Sequence, residues 1–159
     1  MDKEMTEKQA LSRLAAACSK AEHCTGELRE KMRRWGLDEA ARERIIDHLT
    51  ARRYVDDARF ARSFVSDKLR YNKWGRRKIE QALWMKQVPD DIARAALDEV
   101  ADEEYLAVLR PLISSKWKTT KGATDYERSM KVIKYAMGRG FTIDLIRRCI
   151  DGVEELPDE

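Results

Sequence analysis

The chain has 159 residues, which is enough for one ordinary domain or a few stacked small modules and argues against a multi-lobed enzyme. Charged residues make up 38% of it, whereas Gly and Pro number only seven and three, so the composition favours helices and a large surface. The formal net charge of +3 does not by itself indicate a nucleic-acid-binding protein, so that question depends on local clusters of cations.

The N-terminal residues and the cysteines indicate a cytoplasmic protein. Residues 1–9 are polar and charged, and no apolar run in the chain approaches the ~20 residues of a membrane span. The three cysteines, Cys18, Cys24 and Cys149, are an odd number without CxxC spacing, which suits reduced thiols better than disulfides. We expect a soluble, monomeric protein with no membrane partner, no metal and no cofactor.

Taken in chain order, the apolar residues form three blocks with the same spacing. The blocks begin to match at Leu28, Ile79 and Val132, which are 51 and then 53 residues apart. From Leu37, Val88 and Phe141 onward, apolar residues in each block recur at i, i+4, i+8, i+9 and i+12, a pattern that lies on one face of a helix. Each block therefore contains two consecutive helices. One further amphipathic helix precedes each pair, over residues 11–18, 60–65 and 105–112.

Tight turns join the two helices of each pair. Gly36 and Gly140 suit the left-handed conformation that ends a helix, and Asp38 and Thr142 can cap the helix that follows. The middle turn, Lys86-Gln87-Val88-Pro89, contains no glycine. The three turns lie at equivalent positions of the three blocks, which indicates one structural unit repeated three times.

These elements predict an all-α fold of three tandem three-helix repeats. Carboxylates at 56–57 and at 102–104 begin the second and third repeats, where they suit the positive end of a helix dipole. A unit of about fifty residues buries little surface alone, so neighbours must stack, which predicts an elongated, curved helical array of either hand. The predicted limits are 8–53, 54–101 and 102–153 for the repeats, followed by an acidic tail over 154–159.

The segment from Lys68 to Lys78 is the densest basic stretch, with six cations, no anion and two aromatic residues, Tyr71 and Trp74. Its cations can pair with phosphates or with an acidic protein surface, and its rings can stack on a base or fill a partner's pocket. A solvated loop whose Trp74 packs against its own repeat is the alternative interpretation.

A second basic group lies in the third repeat, around a stretch from Trp117 to Met130 that is rich in Lys, Thr and Gly and predicts a long, mobile loop. A plain solvated face is an equally good interpretation of these lysines. Trp84 and Trp117 follow helical spacing, so we expect both to pack in the core or between repeats. The candidate partner-binding residues of the two basic groups are Lys68, Arg70, Tyr71, Lys73, Trp74, Arg76, Arg77, Lys78, Lys116, Lys118, Lys121, Lys131 and Lys134.

No catalytic motif is recognisable in the chain. The sequence contains no GxxxxGK(S/T), GxGxxG, HExxH or GxSxG pattern. His23 and His48 are isolated in helical contexts, and no pair of carboxylates lies in an otherwise apolar setting. These absences, together with the repeat architecture, favour a binding protein over an enzyme.

Three stretches of the chain carry a family signature. They are Tyr54-Val-Asp-Asp-Ala-Arg-Phe-Ala-Arg-Ser-Phe64, Trp74-Gly-Arg-Arg-Lys-Ile79 and Lys134-Tyr-Ala-Met-Gly-Arg-Gly-Phe-Thr-Ile-Asp-Leu-Ile146. The combination closely resembles the RecX family of recombination regulators. The resemblance implies three tandem three-helix repeats, no catalysis and binding to the RecA filament on single-stranded or double-stranded DNA. It also implies suppression of RecA's activity in homologous recombination and DNA repair.

Two other functions fit parts of the sequence. The turn at 34–38 between two short helices is similar to the helix-turn-helix of a sequence-specific DNA-binding protein. The same turn recurs three times with different charges, however, whereas a recognition helix concentrates its base-reading residues in one copy. A helical scaffold for some other partner would use the same repeat architecture.

Overall fold

The structure, a computed structural model, describes the backbone of residues 5–153 and the side chains of residues 5–151. Over that range the chain forms nine α-helices and no strand, which confirms the predicted all-α fold. The predicted acidic tail at 154–159 lies outside the described residues. The helices are α1 (Glu7–Lys20), α2 (Thr25–Arg34), α3 (Glu39–Ala51), α4 (Asp57–Arg70), α5 (Arg76–Met85), α6 (Asp90–Asp98), α7 (Asp102–Thr119), α8 (Asp125–Gly138) and α9 (Ile143–Val153).

The helices begin and end where the local chemistry requires. The Asp38 carboxylate accepts a hydrogen bond from the Ala41 N–H at 2.8 Å, so it caps α3 as predicted. Gly36 and Gly140 have φ angles of 83° and 97°, which confirms the left-handed ends of α2 and α8. The middle turn places Gln87 in the same conformation, with a φ of 62°, although residues with a side chain adopt it rarely.

The chain divides into two compact units. The first unit contains the chain up to Ser63 together with Leu83–Ala93, and the second contains Phe64–Ala82 together with the chain from Arg94 onward. The limits given above for the three repeats stay a prediction.

The core of the first unit lies among α1, α2 and α3. Trp35, Leu37 and Cys18 are partly buried and pack against this core. The guanidinium carbon of Arg13 lies 6.0 Å from the centroid of the Trp35 ring, so this tryptophan packs within its own repeat. The buried residues of the core are Ala10, Leu14, Leu28, Met32, Ile45, Ile46, Leu49 and Val55.

Two distant parts of the first unit hold the N-terminus of α2. Thr25 donates through its N–H and its hydroxyl to the two carboxylate oxygens of Asp57, both at 2.7 Å. A Cβ on Gly26 would lie 2.1 Å from the Lys86 carbonyl oxygen, so the turn between α5 and α6 packs directly on this end of α2. Asp56 caps its own helix, α4, through a hydrogen bond of 3.0 Å, whereas Asp57 holds a different helix. The acidic pair therefore does more than balance a helix dipole.

In the second unit α7, α8 and α9 pack against one another, and Trp117 is buried among them as predicted. The prediction of a long loop after Trp117 is wrong, because only residues 120–124 separate α7 from α8. The hydroxyl of Thr124 accepts from the Glu127 N–H at 3.1 Å and starts α8 early. Arg128 then donates to the Trp117 carbonyl at 2.9 Å and closes the end of α7.

Candidate functional site

The basic segment, residues 68–78, has a backbone that is anchored within the second unit. The Gly75 N–H donates to the Arg139 carbonyl at 2.8 Å, and the Arg77 N–H donates to the Gly140 carbonyl at 2.9 Å. A Cβ on Gly75 would lie 2.4 Å from the backbone nitrogen that follows Gly140, so only glycine allows this approach. The backbone of the segment is therefore docked against the turn between α8 and α9, while the side chains of residues 70–73 are exposed to solvent.

The Arg139 side chain completes this anchor. Its Nε donates to the Lys73 carbonyl at 3.1 Å, and its guanidinium also donates to the Asn72 carbonyl. Lys73 has a φ of 56°, a left-handed conformation that turns the chain between α4 and α5. Arg139 therefore positions the cations of the basic segment by holding the backbone that carries them.

Trp74 packs against lysines of its own segment. Its ring is half-buried, and the Nζ atoms of Lys68 and Lys78 lie 5.1 and 4.8 Å from its centroid, so Trp74 packs within its own repeat as the alternative interpretation expects. Both are cation–π distances, so the ring contacts two ammonium groups of the segment. Tyr71, by contrast, is 79% exposed at the end of α4. Of the two aromatic residues, Tyr71 has its ring available to a partner.

Among the described residues, three cations of the basic segment have neither a carboxylate nor an aromatic ring as a partner. In the described part of the chain no carboxylate lies within 4.0 Å of Arg70, Lys73 or Arg77. Arg76 differs, because its guanidinium donates to the Asp98 carboxylate at 2.6 Å and thereby ties α5 to α6. Cations without a carboxylate partner repel one another and attract an external anion. Arg76 therefore contributes to the fold, and Lys68 and Lys78 lie against the Trp74 ring. Arg70, Lys73 and Arg77 are the cations that remain available to a partner.

The second basic group lines an open groove formed by α7, α8 and the segment that joins them. The groove has a volume of about 520 Å³, and its wall contains no carboxylate. Lys131 and Lys134 are three residues apart on α8 and therefore lie on one face of that helix. Lys118 is exposed on α7 but is not part of the wall. The residues that form this lysine groove are Lys116, Thr119, Thr120, Lys121, Lys131, Lys134 and Tyr135.

Contacts within the lysine groove orient two of its lysines. The Nζ of Lys116 lies 4.8 Å from the centroid of the Tyr135 ring, and the Nζ of Lys131 donates to the Lys121 carbonyl at 2.7 Å. Over residues 5–151 no carboxylate comes within 4.0 Å of any of the four groove lysines. Four ammonium groups around one groove, with no carboxylate partner among the described residues, make the groove electrostatically attractive to anions.

The cysteines do not form a reactive site. Burial raises the pKa of the Cys24 thiol to about 12, so this thiol stays protonated at neutral pH. Burial also raises the pKa values of Cys18 and Cys149. Among the described residues, no three side chains of His, Cys, Asp or Glu come together as a metal ion would require. Within the same range, none of the helices has the length and apolar content needed to cross a bilayer.

Comparisons with known proteins place the chain in a family. Family models described as the second and the third three-helix domains of RecX match residues 56–97 and 102–150. The regulatory protein RecX of Prosthecochloris aestuarii is 31% identical over 146 residues, which cover 91% of this chain and 93% of that protein. The chain belongs to the RecX family. The regulatory protein RecX of Acinetobacter baylyi is 31% identical over 140 residues, which cover 88% of this chain and 85% of that protein. That of Chlorobium limicola is 32% identical over 130 residues, which cover 80% of this chain and 79% of that protein.

Solved RecX structures share the fold. The crystal structure of RecX from Lactobacillus salivarius matches with a TM-score of 0.88 and 19% identity, covering 94% of this chain and 97% of that one. A second crystal structure of a regulatory protein RecX matches with a TM-score of 0.82 and 20% identity, covering 91% of this chain and 71% of that one. These matches confirm the RecX type of helical repeat fold.

All thirteen residues predicted to bind a partner in this RecX family member belong to the second unit. Eight lie in the basic segment and four in the lysine groove, while Lys118 lies outside both. The structure thus brings twelve of the thirteen predicted residues together in two groups with anchored backbones. Their role in binding stays a prediction.

The prediction that Trp84 packs in the core or between repeats is wrong. Its side chain is 68% exposed, and that of its neighbour Met85 is 70% exposed. The alignment of the repeats contains the signal, because the positions equivalent to Trp84 are Arg33 in the first repeat and Met137 in the third. A position that holds an arginine in one repeat belongs to the surface.

Proposed function

We propose that this RecX family member binds RecA filaments on DNA and restrains RecA's recombinase activity in homologous recombination and DNA repair, without catalysing a reaction. The observation that carries the proposal is a pair of cationic surfaces, the basic segment and the lysine groove, with anchored backbones and few acidic partners. The regulatory role named for its relatives supports the same conclusion.

The basic segment suits contact with the filament. Its backbone is already docked through Gly75 and Arg77, so a partner does not have to order it, which lowers the entropic cost of binding. Arg77 and Lys73 can donate charge-assisted hydrogen bonds to carboxylates of RecA or to phosphates. The exposed ring of Tyr71 can stack on a base or pack on an apolar protein surface.

The lysine groove suits contact with the DNA of the filament. Lysine ammonium groups are compact point charges that accept phosphates in many orientations, so they follow a backbone without reading its sequence. The wall holds one aromatic ring, Tyr135, and otherwise consists of lysines and threonines. It therefore offers little of the apolar core that a protein interface uses. Both single-stranded and double-stranded DNA present the required phosphates.

Inhibition by this mechanism needs no covalent chemistry. A protein that binds one state of a filament more tightly than another shifts the balance between those states by its differential affinity. Several weak cationic contacts on one molecule act together through effective concentration. The proposal treats the chain as a cytoplasmic monomer whose binding weakens as salt increases.

The test is RecA-driven strand exchange with and without the purified chain. We expect near-stoichiometric amounts to reduce strand exchange and RecA's ATP hydrolysis. The charge-reversal variant K73E/R77E should need roughly tenfold more protein for the same inhibition, since it loses charge pairs at the interface. Arg76 is left unchanged because its ion pair with α6 supports the fold.

The matched control is K8E/K20E, which makes the same change of charge at two exposed lysines of α1. It should inhibit as strongly as the unaltered chain. An unaltered chain without effect on RecA would refute the proposed function. Full inhibition by a normally folded K73E/R77E variant would instead show that the basic segment takes no part in binding RecA filaments.

A further inference from the structure

The end of α5 carries an exposed apolar pair that the two cationic surfaces do not include. Trp84 is 68% exposed and Met85 is 70% exposed. Both border an open groove of about 590 Å³ that belongs to the first unit. The residues that form this apolar groove are Trp84, Met85, Gln87, Val88, Pro89 and Asp90.

The fold does not require an apolar pair at this position. The equivalent residues of the first repeat are Arg33 and Arg34, which are both exposed, and Arg33 pairs with Glu30 at 2.7 Å. The same place on the same kind of helix therefore accepts two charged side chains. Adjacent exposed Trp and Met side chains beside a groove are instead typical of an interaction site.

The apolar groove is preformed. The Gln87 N–H donates to the Trp84 carbonyl at 2.9 Å, and the Val88 N–H donates to the Leu83 carbonyl at 3.1 Å, which closes the turn after α5. This turn also packs on Gly26, where an added Cβ would lie 2.8 Å from the Cβ of Gln87. A backbone held from both sides can receive a partner without first being ordered.

The charge of the apolar groove favours a protein partner over a nucleic acid. Its wall contains one carboxylate, Asp90, and no cation. In the described part of the chain no basic group lies within 4.0 Å of Asp90, and Asp91 is exposed beside it. These carboxylates repel phosphate, but they attract a Lys or Arg of a protein. Trp84 and Met85 can meanwhile enclose a bulky apolar side chain, since both are large and Met adapts its shape.

We propose that Trp84, Met85 and Asp90 dock a protein segment that presents a bulky apolar side chain next to a Lys or Arg. The inference rests on the proposed function in one respect, which is that the segment belongs to a RecA subunit of the filament. The apolar groove of the first unit then binds protein, and the lysine groove of the second unit binds DNA.

The test compares binding to RecA filaments with binding to DNA alone. W84Q/M85Q removes the apolar pair and introduces neutral side chains that favour a helix. Its affinity for RecA filaments in co-sedimentation should fall at least about tenfold, the scale of a tryptophan at the centre of an interface. Its affinity for a fluorescent single-stranded oligonucleotide without RecA should stay within about twofold. D90N, a second variant that leaves the apolar pair intact, should weaken filament binding about threefold.

The matched control is M137Q, which alters the exposed residue at the equivalent position of the third repeat. It should bind filaments as the unaltered chain does. Unchanged filament binding by W84Q/M85Q, or an equal loss of DNA binding, overturns the docking site. Should W84Q/M85Q fail to fold, unchanged filament binding by D90N overturns it instead. An unaltered chain that does not co-sediment with RecA filaments contradicts the proposed function itself, which distinguishes the two failures.

Discussion

Replacing Lys131 and Lys134 by glutamine tests whether the lysine groove binds the phosphates of DNA. Each cation that neutralises a phosphate adds about 0.7 to the slope of log affinity against log salt on single strands, and about 0.9 on duplexes. Both lysines line the groove, and no carboxylate of the described residues lies within 4.0 Å of either. The double variant should therefore lower the slope by about 1.4 on single strands and about 1.8 on duplexes.

The measurement is the anisotropy of a fluorescent oligonucleotide, titrated with the chain at several salt concentrations. The matched control K8Q/K20Q also removes two exposed lysines, but both lie on α1 of the first unit and neither lines the lysine groove. Its slope should stay close to that of the unaltered chain. The reasoning is refuted if K131Q/K134Q binds DNA with an unchanged slope, because its lysines then release no counterions. An equal change in the control would indicate a diffuse effect of net charge.

Three further outcomes are expected from contacts inside the two units. D57A removes the acceptor of both Thr25 hydrogen bonds and should lower the free energy of unfolding in urea by about 2–4 kcal/mol, while D57N should lose less. G75A places a Cβ 2.4 Å from a backbone nitrogen and should lower the free energy of unfolding by about 1–3 kcal/mol. G138A places its Cβ in open space and should not lower it, so equal melting temperatures of the two variants would contradict the docking of the basic segment. Because burial raises the pKa of Cys24 from 9.0 to about 12, the free energy of unfolding should decline as pH rises above 9, and C24A should show a shallower decline.

The positions of the helices could be predicted because each helix buries one apolar stripe. The stripe of α1, for example, places Leu14 in the core of the first unit. The Asp38 cap could also be predicted, because the residue that donates to its carboxylate lies only three positions along the chain. The loop after Trp117 is shorter than predicted. A composition rich in Lys, Thr and Gly indicates a loop, whereas the Thr124 and Glu127 pair, which caps α8, indicates the start of a helix.

The candidate site could be predicted only in part. The two basic groups are visible as clusters of cations, but a cluster does not reveal which of its members are engaged elsewhere. Trp84 was assigned to the core because helical spacing alone does not tell an apolar residue at the edge of a stripe from one inside it. The arginines at equivalent positions of the first repeat would have corrected this assignment.

The sequence by itself determined the all-α class, the threefold pattern and the resemblance to the RecX family, because all three depend on residue types and their spacing. Only the tertiary structure decided which cations are available to a partner. Arg76 pairs with a carboxylate 22 residues later, and Arg139 binds a backbone carbonyl 66 residues earlier. A periodic pattern records which face of a helix is apolar, but it does not record which segment lies against the polar face. That choice follows from packing between segments far apart in the chain, and it separates the cations that hold the fold from those that can bind.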